Sequence, residues 1–119
     1  MMKKLFISLL LIVSIVSPVF AASWYWIGYI PNGSQFYIDN SSVQKNANYA
    51  LVWTKVVTSD GHRDIEKLLI SRPAKKFTLM SIIRYNADGD ITYYHDYTKP
   101  HWLSIIPGTM TESLYRHIW

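Results

Sequence analysis

The sequence predicts an α+β fold: a meander sheet of about six antiparallel strands with a C-terminal helix packed on one face. Three observations carry that prediction. From Trp24 onward, short runs rich in Val, Thr, Ile and aromatic residues alternate with clusters of Gly, Asp, Asn and Pro, the pattern of hairpin-linked strands. An Asp60-Gly61 pair lies between two such runs, and Asp-Gly accepts the backbone dihedrals that tight hairpin turns require. The chain ends in a capping box, Thr109-Met110-Thr111-Glu112, ahead of an apolar stripe of Met110, Leu114 and Ile118 at helical spacing.

Taken in order, Trp24 to Ile30 is a short aromatic strand, ended by the turn cluster Pro31-Asn32-Gly33-Ser34. Gln35 to Ile38 is its return strand. Asp39-Asn40-Ser41-Ser42 follows, whose short polar side chains satisfy free backbone amides at a turn or helix start, and one helical turn is expected around Ser42 to Lys45. Tyr49 to Ser59 and His62 to Ser71 flank Asp60-Gly61 as a hairpin. Pro73 then breaks the pattern. Phe77 to Tyr85 alternates, with Phe77, Leu79, Ser81, Ile83 and Tyr85 on one face and Lys76, Thr78, Met80, Ile82 and Arg84 on the other. Ala87-Asp88-Gly89-Asp90 turns the chain into Ile91 to Tyr97. Trp102 to Ile106 is apolar, Pro107-Gly108 stops it, and the helix starts at the Thr109 cap. Glu112 complements the positive helix start, and Arg116 and His117 the negative end. A helix of two to three turns does not persist alone in water, so it is expected to dock on the sheet.

Residues 1–21 read as a cleaved export signal. Lys3 and Lys4 form the positive start, Leu5 to Val16 the apolar run, and Val19 and Ala21 the small-residue pair ahead of the cut. The apolar run is shorter than a membrane span and is stopped by Pro18. The expected products are a signal, 1–21, and one domain, 22–119, exported to the periplasm or cell surface and without a membrane span after cleavage. Two of the twelve basic residues fall in the leader; the remaining ten against eight acidic residues leave a net +2. That balance speaks for solubility and against nucleic acid as partner. The chain has no cysteine, so no disulfide framework supports it and the core must rest on packing. Sixteen aromatic residues remain after the leader, and large rings are an efficient way to build a small core.

No catalytic signature emerges. His95 and Asp96 alternate on a strand, which sends them to opposite faces, and no spacing matches a zinc site. A nucleophile elbow and a phosphate-cradling glycine loop are both missing, and the two glutamates, Glu66 and Glu112, have structural explanations. The expected function is therefore binding, without enzyme activity, metal or cofactor. Two candidate patches stand out. One is basic, Lys75 and Lys76 with Arg84, matched to an acidic protein or glycan. The other is aromatic, Tyr94, Tyr97 and Trp102. A solvated basic edge that discourages aggregation is the competing explanation of the first.

The ordered features Trp24, Trp26, Tyr37-Ile38-Asp39, Val52-Trp53-x-Lys55, Asp60-Gly61, Tyr85, Gly89 and Trp102-x-x-Ile105-x-Pro107-Gly108-Thr109 resemble the surface-adhesin protein E family of exported bacterial domains. The likeness spans the whole chain after the leader. It implies a sheet of about six strands with the terminal helix against it. It also implies adhesion to host matrix and plasma proteins, and a capacity to form homodimers. The alternatives are a periplasmic structural or accessory domain with no host ligand and, third, a hydrolase. Many members of the family carry two cysteines, and matching Tyr85 and Pro107 to the family pattern puts Arg72 and Trp119 at those positions. A bridge there would contribute about 2–4 kcal/mol. In its place, Trp119 is expected to pack on the sheet with Arg72 over its ring, a contact of about 0.5–1 kcal/mol if exposed. The alternative is a frayed chain end.

Overall fold

The computed structural model describes residues 22–119; the predicted leader, 1–21, lies outside the described residues. Eight strands and one helix follow one another in chain order. They are β1 (Trp24–Tyr29), β2 (Gln35–Asp39), β3 (Gln44–Lys45), β4 (Tyr49–Val57), β5 (Arg63–Ser71), β6 (Lys76–Tyr85), β7 (Ile91–Asp96), β8 (Leu103–Ser104) and the helix α1 (Met110–Ile118). The sheet is antiparallel, and its main path is β1-β2-β4-β5-β6-β7. Those six strands follow the expected meander. Two short strands enlarge the sheet beyond six: β3 pairs with the start of β4, and β8 with the start of β6.

The additions have a local cause. The expected helical turn over Ser42 to Lys45 sits two residues earlier, as a 3-10 turn at Asn40–Ser42. Asp39 caps it, its Oδ1 accepting from the Ser41 amide at 3.0 Å and the Ser41 hydroxyl at 2.6 Å. The same oxygen accepts from the Ser23 amide at 2.8 Å, which fastens the start of β1 to the end of β2. Burial works against the Asp39 carboxylate, but the bonds from Ser41, Ser23 and Ser42 together hold its pKa below the usual value. Because the turn closes early, Gln44 and Lys45 are extended and reach β4.

Three register shifts set which residues share a face. Ile27 in β1, Met80 in β6 and Thr92 in β7 are each an extra residue opposite a continuous partner strand. Such bulges bend the strand and change the alternation beyond them. The consequence in β6 corrects the expected alternation. Phe77 and Leu79 share the side of Ile70 and Leu68, whereas Ser81 and Ile83 lie with Lys67 and Ile65 on the other side. The simple period-two reading assigned all four to one face.

Helix α1 covers the side of the sheet carrying Phe36, Ile38, Ala50, Val52, Leu68 and Ile70, all buried. Leu114 and Ile118 close this core from the helix, each contributing about 1.5–3 kcal/mol by leaving water. Gly28 faces Met110, and a Cβ there would lie 3.2 Å from the Met110 Cε, so the glycine permits the close approach of helix and edge strand. The capping box forms in part: the Thr109 hydroxyl accepts from the Glu112 amide at 3.3 Å, while the Glu112 carboxylate accepts from the Gly108 amide at 2.9 Å, one residue before the cap. Gly108 adopts φ +84°, a backbone state that favours glycine, immediately after Pro107.

The far end of the helix is tied to the sheet without sulfur. The Trp119 indole Nε1 donates to the Asn46 carbonyl at 3.0 Å, and its ring lies 5.2 Å from that of Tyr115. The Arg72 guanidinium sits over the Trp119 ring at 5.6 Å, and Lys45 donates to the Ile118 carbonyl. Among the described residues, no helix is long and apolar enough to cross a membrane.

Candidate binding surface on the open sheet face

The helix covers one side of the sheet; the other side carries the candidate site. Pleating and register place on it Trp24 and Trp26 from β1, Tyr37 from β2, Trp53 and Lys55 from β4, and Arg63 and Lys67 from β5. The neighbouring positions point to the core, which is why Val52 and Thr54 are fully buried while Trp53 and Lys55 are half-buried. β4 is therefore a two-sided strand, with Ala50, Val52, Thr54 and Val56 toward the helix and Tyr49, Leu51, Trp53, Lys55 and Val57 away from it.

Lys55, Arg63 and Lys67 on this face each lie over a ring. Lys55 Nζ is 4.6 Å from the Trp24 centroid and 4.9 Å from that of Tyr37. Lys67 Nζ is 5.4 Å from Trp53, and the Arg63 guanidinium 5.1 Å from Tyr85. Such contacts contribute about 0.5–1 kcal/mol when exposed and about 2 when desolvated. The three basic groups form a compact cluster. Lys55 stands opposite Ile65, midway between Arg63 and Lys67, which are about 13 Å apart along the strand. Burial, and then the nearby Arg63 charge, hold the Lys55 pKa below its ordinary value.

None of these cations is neutralised by a direct ion pair. Among the described residues, the salt bridges are His62–Asp60, Arg84–Asp64 and Arg116–Glu112, which leave Lys55, Arg63 and Lys67 without a carboxylate in contact. Arg63 Nε is also buried without a hydrogen-bond partner. Asp96 lies on the same face, with Oδ1 accepting from the Ser81 hydroxyl and Oδ2 from the Tyr94 hydroxyl, both at 2.6 Å. Those bonds, Ser81 first, hold its pKa low, and the nearby Lys67 charge lowers it further. At the edge of the face, Trp26 and Tyr29 are 46% and 63% exposed and meet edge to face at 5.4 Å.

The residues singled out from sequence are dispersed. Lys75 and Lys76 lie at the start of β6 and Arg84 near its end, about 27 Å away by strand rise, so they form no single patch. Lys75 leans over the Tyr115 ring at 6.0 Å; Arg84 pairs with Asp64 at 3.4 Å and covers Tyr93. The aromatic group divides as well. Tyr94 lies with Ile83 on the open side, Tyr97 packs edge to face against His95 on the helix side, and Trp102 stands just before β8. Of the six, Tyr94 and Lys76 belong to the open side, and Lys76 only at its far corner, opposite Ser71. The alternation Trp24-x-Trp26 and Trp53-x-Lys55 was the signal that could have exposed the open face.

Among the described residues, no three His, Asp or Glu side chains converge as metal ligands. His95 and Asp96 do point to opposite sides, facing Ile82 and Ser81 respectively. A concavity between Ile30, Pro31 and Met110 at the helix start is mainly apolar and carries no cation or carboxylate.

On the helix side, Glu66 faces Thr54 and Ile82. Burial, and then the Asp64 charge, raise its pKa, while Arg84 opposes them. A raised carboxyl pKa means the folded state prefers the proton, so its stabilising effect is full below the unfolded value and is lost as pH rises through the folded one. Glu66→Gln is therefore expected to be at least as stable as the parent at pH 7, with the difference shrinking as pH falls toward about 4. Urea unfolding at both pH values reads this. A variant clearly weaker at pH 7 would show that Glu66 acts as a paired anion.

No family model matches the chain, and neither a curated protein nor a solved structure shows similarity to it.

Proposed function

We propose that the protein is an exported, non-catalytic binding domain whose open sheet face holds a protein or glycan partner at the cell envelope or outside it. The observation that carries this reading is the cluster Lys55, Arg63 and Lys67, each on an aromatic ring and without a carboxylate in contact. A cation held over a ring is positioned in advance, so little ordering cost remains when a ligand arrives. The adjoining Trp26 and Tyr29 supply exposed ring area of the kind that dominates recognition surfaces. The leader pattern of 1–21 supports export, and the resemblance to surface-adhesin protein E domains supports adhesion as the setting.

The test is capture on immobilised matrix proteins and matrix glycans by protein produced from the full-length chain. Trp26→Ala with Lys55→Gln is expected to weaken capture tenfold or more while the melting temperature stays near the parent value. Undiminished capture by that variant rejects the open face as the site. Protease added to intact cells reads location: cleavage supports surface display, and resistance with recovery in the periplasmic fraction supports an accessory role.

A further inference from the structure

We infer that the ligand of the open face is a linear acidic saccharide, one carrying sulfate or carboxylate groups along its length; this rests on the binding role proposed above. Three features select that chemistry. The first is charge: Lys55, Arg63 and Lys67 lack ion-pair partners, and Asp96, the carboxylate at their border, is already engaged by Ser81 and Tyr94. An approaching anion meets cations that lie on ring faces with no carboxylate in direct contact, Asp96 acting on Lys67 at longer range.

The second is spacing. The cations stand on adjacent, fully paired strands at alternate positions, Arg63 and Lys67 in line with Lys55 beside their midpoint. A rigid row about 13 Å long matches anionic groups repeated along a chain better than one isolated phosphate or carboxylate. The third is the state of the rings. Trp24, Tyr37, Trp53 and Tyr85 each have a cation lying over them. Stacked nucleic-acid bases need successive free ring faces, and on these four rings a cation already occupies one face. A saccharide needs only its anionic groups on the cations and one apolar sugar face against an exposed ring, which Trp26 offers at the edge. The chain would then run along β4 and β5 over Arg63, Lys55 and Lys67, with a sugar unit level with Lys55 turned toward Trp26 on β1.

Heparin is the probe, with chemically desulfated heparin, dextran and a single-stranded oligonucleotide of similar length as comparisons, measured calorimetrically on protein produced from the full-length chain. The expected result is heparin binding that weakens with salt, at least tenfold weaker binding to desulfated heparin, and none to dextran. Lys55→Gln with Arg63→Gln and Lys67→Gln is expected to lose tenfold or more; Lys55→Arg with Lys67→Arg, which keeps the charge and guards against a folding artefact, retains binding. Lys75→Gln with Lys76→Gln is expected to bind like the parent. Equal binding to the oligonucleotide or to desulfated heparin overturns the saccharide assignment, as does a greater loss from the Lys75 and Lys76 pair. Absent heparin binding, with matrix-protein capture still dependent on Trp26, overturns the ligand class and leaves the binding role standing. Loss of both ends both.

Discussion

Leu114→Ala is expected to destabilise the protein by about 2–5 kcal/mol. The side chain is fully buried between α1 and the sheet, amid Phe36, Ile38, Val52 and Ile70. Its removal leaves a void that a single helix of nine residues on a paired sheet has little room to fill. A domain of this length loses about 4–8 °C of melting temperature per kcal/mol, so a loss above about 10 °C is anticipated in a thermal scan followed by near-ultraviolet dichroism. A change below about 3 °C would show that the helix contributes little to the cooperative fold, and with it the assignment of one covered and one open face would fail.

Trp119→Ala is the second large effect. Truncation removes the indole's hydrogen bond to the Asn46 carbonyl, its contact with Tyr115 and its place beneath Arg72. Because the residue is half-buried, the expected cost is about 2–3 kcal/mol, below that of a fully enclosed tryptophan. Trp119→Phe separates the contributions: it keeps an apolar ring and forfeits the bond to Asn46, for about 1 kcal/mol. Arg72→Gln is expected to cost less than either, since a cation over a ring contributes about 0.5–1 kcal/mol at an exposed position. Equal melting temperatures for the parent and Trp119→Ala would mean the chain end does not hold the helix.

The fold was legible where local chemistry speaks with one voice. Asp60-Gly61 and the Thr109 to Glu112 capping box are written in adjacent residues, and both the hairpin and the helix start form where those residues stand. The two short strands were hidden because their pairing depends on register with distant strands. Nothing within Gln44-Lys45 or Leu103-Ser104 itself announces a partner. The alternation of β6 failed at Met80 for a related reason: a bulge is a property of two strands together, and one strand read alone shows an unbroken period.

The candidate site was harder to read than the fold. Lys75, Lys76 and Arg84 drew attention as neighbours in sequence, yet a ten-residue strand sets its ends far apart. Lys55, Arg63 and Lys67 are separated in sequence and meet only because β4 and β5 run antiparallel in one register. The decisive pairing of each with a ring comes from β1, β2, β4 and β6 together. Strand periodicity can say that Trp53 and Lys55 share a face; it cannot say which face the helix leaves bare.

That one-sided lid divides the labour of the molecule. Residues such as Leu68 and Ile70 answer to the helix, whereas Lys67 and Leu69, their immediate neighbours in the chain, answer to the surroundings. Substitutions on the bare side can therefore change the exposed chemistry while leaving the helix-covered core intact. On the binding role proposed above, this scaffold can change its partner in single steps without first losing the ability to fold.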